Sequence, residues 1–146
     1  IEHMVDPVAA LKKLAEILVP GGEAFIETPD TACLNARLTP KRYWGGYHYP
    51  RHLHLFAPRS MTTALELAGL EVLEIRHVPC PIPWITTAHA WLQERSRPPE
   101  ALLRAVDWRN PLLLAFFTAC DLLLLRFGTS NMQIVARRPL DRGPRE

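Results

Sequence analysis

Residues 1–29 decide the fold. Ile1-Glu2-His3-Met4-Val5-Asp6-Pro7 leads into a helical stretch, Val19-Pro20-Gly21-Gly22 turns the chain, and Glu23-Ala24-Phe25-Ile26-Glu27-Thr28-Pro29 follows as a strand. Asp6 suits an N-cap and Pro7 the first helical position, because a proline there gives up only an N–H that has no helical partner. Val8, Leu11, Leu14, Ala15 and Leu18 recur at helical spacing, with Lys12, Lys13 and Glu16 on the wet side. Phe25 and Ile26 are consecutive apolar residues, as expected of a strand covered on both faces. A helix feeding such a strand through a tight turn is an α/β pattern.

Working outward, residues 31–38 suit a short helix, and Thr39 to Arg59 fits no periodic template. Ser60 is expected to cap a helix over 61–68, closed by Gly69 in a left-handed conformation. Residues 70–77 read as a strand whose charges place it near a sheet edge. Residues 79–99 contain five prolines. The Pro79-Cys80-Pro81-Ile82-Pro83 run fits neither a helix interior nor a central strand. Helices are expected over part of 84–95, over about 100–108, and from Pro111 through Phe127. Asn131 to Arg137 forms a last strand with Met132, Ile134 and Ala136 on one face. Residues 140–146 read as a polar tail.

The chain has 146 residues, 48% of them hydrophobic, enough for one folded core. Seventeen basic against fifteen acidic residues give a formal charge of +2. So balanced a charge argues against a nucleic-acid partner, which needs a concentrated basic face. Cys33, Cys80 and Cys120 are odd in number and lack paired spacing, which points to a reducing, cytoplasmic setting rather than a disulfide framework.

Several segments in order resemble the class I S-adenosylmethionine-dependent methyltransferases. Glu2-His3-Met4-Val5-Asp6-Pro7 matches a Glu-His-x-x-Asp-Pro pattern after the family's fourth strand. Pro20-Gly21-Gly22 matches the turn before strand five. Thr28-Pro29-Asp30 matches a Thr-Pro-Asn with Asp in place of Asn. Trp44-Gly45-Gly46, Pro50-Arg51-His52-Leu53-His54-Leu55-Phe56 and Ala68-Gly69-Leu70 resemble later segments. The resemblance covers most of 1–78 and returns at 128–139.

It implies a partial Rossmann-like sheet made of strands five (23–28), six (70–77) and seven (131–137), with a helical insertion at about 79–127 between the last two. The family's strand order is 3-2-1-4-5-7-6, with strand seven antiparallel. The expected domain is 1–139, the C-terminal half of a methyltransferase. The intact protein is then expected to bind S-adenosylmethionine and methylate a small-molecule acceptor, with this chain inactive alone. Strands one to four and the glycine-rich loop have no counterpart here, so a completing polypeptide or oligomer is an open partner. A non-catalytic α/β interaction module, or one half of a split methyltransferase, is the alternative.

The resemblance puts Glu2 and His3 beside the methionine end of the cofactor, where an ordinary polar pair before a helix is an equal reading. The densest chemical constellation is Tyr43, Trp44, His48, Tyr49, His52 and His54. Histidine titrates near neutrality and can take a proton from an acceptor, so His52 is the candidate base. Tyr43, Trp44, His48, Arg51, His54 and Asp30 are candidate substrate contacts. The competing reading has Trp44 and Phe56 filling the sheet edge and the histidines bonded to loop backbone. No cysteine or carboxylate neighbours His48, His52 and His54 in sequence, so no metal site is expected.

The apolar run 111–127 is broken by Asp121 and falls short of a membrane span. A core helix or a lid over an apolar pocket is the leading reading. Peripheral membrane contact, with Trp84, Trp91 and Trp108 nearby, is the rival.

Overall fold

The computed structural model describes residues 1–95 and 98–140. All but the first residue of the expected tail therefore lies outside the described residues. Three strands, β1 (Glu23–Pro29), β2 (Glu71–Val78) and β3 (Asn131–Arg137), form one sheet in the order β1-β3-β2. β3 is antiparallel to both neighbours, pairing Ile134 with Ile26 on one side and with Ile75 on the other. This is the 5-7-6 order and direction implied above, and charged β2 does lie at an edge.

Helices α1 (Pro7–Ile17) and α3 (Pro58–Leu67) cover one sheet face. Asp6 caps α1 by accepting from the Ala9 N–H at 2.9 Å. The period-two face of β3, Met132, Ile134 and Ala136, is fully buried with Leu11, Met61 and Leu65 in the core. Burying each large side chain contributes about 1.5–3 kcal/mol. Ser60 is not the N-cap of α3. Ala57 is, and Ser60 sits in the first turn, with its hydroxyl accepting from the Ala57 N–H. Pro58 and Arg59 extend the helix because a first-turn proline needs no backbone donor. Gly69 adopts the left-handed conformation expected of it, at φ 81°.

The second sheet face departs from expectation. Phe25 is 68% exposed, and no helix among the described residues covers its side of β1. Phe25 shares its exposed face with Glu23 and Glu27, so among the described residues only the other face of β1 is covered.

Between β2 and β3 lie α4 (Ile82–Gln93), α5 (Glu100–Ala105) and α6 (Pro111–Leu124), with α2 (Leu34–Leu38) earlier in the chain. α4 starts at Ile82 because Pro83 falls in its first turn, where proline is tolerated. The long apolar helix is not a core helix. Leu112 is 79% and Leu123 80% exposed, and Phe116 also faces solvent. No helix among the described residues is long and apolar enough to cross a membrane.

Asp121, which interrupts the apolar run, is buried and accepts from the Cys80 N–H at 2.7 Å and the Trp84 Nε1–H at 2.8 Å. It fastens α6 to the start of α4, where Trp84 and Phe117 also stack. Asp121→Ala strands both donors, so we expect a loss of about 2–4 kcal/mol in urea unfolding. A loss under about 0.5 kcal/mol, the level of an unremarkable surface change, would refute that role.

Candidate functional site

The segments carrying the candidate residues meet beyond the carboxyl end of β1. The Leu53 and His54 N–H groups both donate to the Glu2 carbonyl, at 2.8 and 3.1 Å, stapling the histidine segment to the start of the chain. Asp30 and Phe56 form an isolated parallel bridge. Gly45 lets the segment press on α4, since a Cβ there would lie 1.9 Å from Thr86 Oγ1 and 2.7 Å from the Pro83 carbonyl.

A cavity of about 510 Å³ opens at this junction, with Pro29, His48, Arg51, His52, Ser130 and Asn131 in its wall. Pro29 ends β1, Asn131 begins β3, and Pro83 and Thr86 of α4 close the opposite side. Three predicted residues therefore share one cavity. Burial and the charges of His52, Arg51 and His3, in that order, hold the His48 imidazole below its ordinary value. It is therefore poised to be neutral.

His52 is mostly buried, and its Nδ1 lies 2.8 Å from the Gly46 carbonyl. A carbonyl only accepts, so Nδ1 carries a proton, and in the neutral ring Nε2 is the atom with the lone pair. The same logic applies to His3, whose Nδ1 donates to the Arg51 carbonyl at 2.8 Å. Burial raises the Glu2 carboxyl, while its own backbone N–H and the Thr28 hydroxyl lower it, and it lies below the usual value.

Other predicted residues are engaged elsewhere. Asp30 is buried, accepting from the Ala32 N–H at 2.7 Å and from His77 Nε2 at 2.8 Å, and it ties β1 to β2. His77 was not singled out in the sequence, because the pairing spans 47 residues. Tyr43 donates to Glu94 at 2.6 Å and lines a separate hollow with Trp84 and Trp91. Trp44 is buried, with its ring packed against Gly46. His54 Nε2 lies 3.2 Å from the Val5 carbonyl, and its ring stacks on Phe56. Trp44, Phe56 and the bonds to loop backbone thus match the competing structural reading.

A family profile described as a methyltransferase domain matches residues 1–75, just over half of the chain. The chain belongs to this methyltransferase family. No curated protein sequence matches. Among solved structures, the [4+2]-cyclase SpnF is 17% identical, with a TM-score of 0.49, and the match covers 95% of this chain and 46% of that one. Phosphoethanolamine N-methyltransferase 2 of Haemonchus contortus, solved in complex with S-adenosyl-L-methionine, is 14% identical with a TM-score of 0.47. That match covers 97% of this chain and 31% of that one. The chain thus spans less than half the length of either structure.

The residues present do not form a complete cradle for S-adenosylmethionine. The glycines, Gly21, Gly22, Gly45, Gly46, Gly69, Gly128 and Gly143, include no G-x-G loop between a strand and a helix. Glu2 and His3 are engaged with Thr28 and Arg51 in the junction described above.

Cys80, also in the cavity wall, has its thiol pushed up to about 11, chiefly by burial and then by the Asp121 and Glu27 charges. Cys80 should therefore resist iodoacetamide at pH 8 in the folded chain and react readily in urea. Between about pH 9 and 11 the unfolded chain loses this proton first, so its contribution to stability falls as pH rises. Equal alkylation rates in folded and unfolded chain would contradict that burial.

Proposed function

We propose that the intact protein is an S-adenosylmethionine-dependent methyltransferase acting on a small-molecule acceptor, and that this chain supplies the acceptor side of its site. The supporting observation is the cavity at the carboxyl end of β1, where α/β sheets of this kind hold their ligands. Arg51 would hold an anionic or polar group of the acceptor, and His48, poised to be neutral, would accept a hydrogen bond from it. In the neutral ring, His52 Nε2 would be the lone pair available to take a proton from the acceptor. Most of the rate would come from holding acceptor and methyl donor in line. Residues 79–127, carrying α4 to α6, would be an insertion that walls the cavity, within a domain running to about residue 139.

A completing polypeptide, or a split arrangement, is favoured by one observation. β1 is an edge strand among the described residues, with Phe25 exposed beside it. The three free thiols support a cytoplasmic setting, and the exposed leucines of α6 support peripheral contact with a lipid surface.

Calorimetric titration of S-adenosylmethionine into monodisperse chain tests the reading. The chain alone should show no saturable micromolar binding, and adding a polypeptide with a glycine-rich strand–helix unit should create it. Micromolar binding by the chain alone would overturn the acceptor-side assignment. In a completed enzyme, His52→Ala should lower kcat by about 100-fold or more. An unchanged kcat would remove His52 from the chemistry.

A further inference from the structure

Glu2, His3 and His52 come from segments about fifty residues apart, yet one ligand atom of each lies within 4.8 Å of the other two. Glu2 Oε1 lies 3.5 Å from His3 Nε2 and 3.9 Å from His52 Nε2. Ligand atoms about 2.0–2.2 Å from a tetrahedral ion stand roughly 3.4 Å apart, so the first distance is already close to that of a bound site.

The remaining polar atom of each residue is engaged elsewhere. His3 Nδ1–H donates to the Arg51 carbonyl, and His52 Nδ1–H donates to the Gly46 carbonyl, both at 2.8 Å. Glu2 Oε2 accepts from Thr28 Oγ1 at 3.0 Å. Two Nδ1–H bonds to carbonyls and a hydroxyl on the far carboxylate oxygen are what orients ligands in metal sites. They leave Glu2 Oε1 and the two Nε2 atoms facing one another, within ion-pair range when a ring is protonated and free to share an ion when both rings are neutral. The staple from Leu53 and His54 to the Glu2 carbonyl holds the backbone of both segments in register.

We propose that Glu2, His3 and His52 bind one divalent first-row transition metal ion at the edge of the acceptor cavity. Two imidazoles and one carboxylate suit zinc, cobalt, manganese or iron(II) rather than calcium or magnesium, which prefer all-oxygen sets. Three protein ligands leave coordination positions for water or an oxygen donor of a ligand. His52 belongs both to this cluster and to the cavity wall, so such a donor can come from a molecule in the cavity. His3 is half exposed, whereas Glu2 and His52 are largely buried. The metal reading reassigns His52 from base to ligand, because its free lone pair is then occupied. The ion would then lower the pKa of a bound hydroxyl.

The test is titration of the 146-residue chain with zinc by calorimetry and with cobalt by visible absorption, at pH 7.5 and without S-adenosylmethionine. Cofactor-free titration keeps this result separate from the methyltransferase reading, which can fail or stand on its own. We expect one ion per chain, with micromolar or tighter binding. Glu2→Gln, His3→Gln and His52→Gln should each weaken it at least tenfold, and Thr28→Val by about 10–100-fold through loss of the orienting hydroxyl. His54→Gln, with an imidazole outside the cluster, should leave it unchanged. His3 is on the surface, so His3→Gln remains informative if His52→Gln does not fold. Only millimolar binding, or binding insensitive to Glu2→Gln and His3→Gln in folded protein, would overturn the proposal.

Discussion

Everything in this molecule depends on β3 finding both of its partners. Neither β1 nor β2 pairs with the other, so each owes its ladder of hydrogen bonds to the same seven residues, Asn131–Arg137. Central placement explains why this strand has the most deeply buried side chains of the sheet. It also explains why its sequence is apolar where β2 is charged. The pairing fixes where β1 ends and β3 begins, and so fixes the cavity between them.

Local chemistry made much of this readable in sequence. Asp6-Pro7, Pro20-Gly21-Gly22 and Gly69 each impose a backbone geometry locally, through a capping carboxylate, a proline ring or the lack of a Cβ, and each takes up the expected role. The alternation in β3 likewise reports a one-sided core. Exposure of α6 was not readable, because periodicity cannot say which face has a partner. An all-round apolar helix looks the same whether it is covered or bare. Phe25 failed for the same reason.

The site divides along the same line. That the segment from Tyr43 to His54 would matter was visible from its density of aromatics and imidazoles. How it would be shared out was not. Tyr43 goes to Glu94, Trp44 to the interior and His54 to Val5, while His48, Arg51 and His52 reach one cavity. A carboxylate beside His52 was invisible because it arrives from residue 2. Only the folded backbone brings it there. Asp30 shows the converse, since a polar residue at a strand end was consumed by a histidine from another strand.

Asp121 has a wider effect than its two hydrogen bonds. At about 100° per residue, Leu112, Phe116 and Leu123 fall on the side of α6 opposite this carboxylate. The helix cannot roll to hide them without withdrawing Asp121 from the Cys80 and Trp84 donors. A polar anchor thus sets the rotational phase of an apolar helix, holding its leucines in the water that hydrophobicity alone would have them leave.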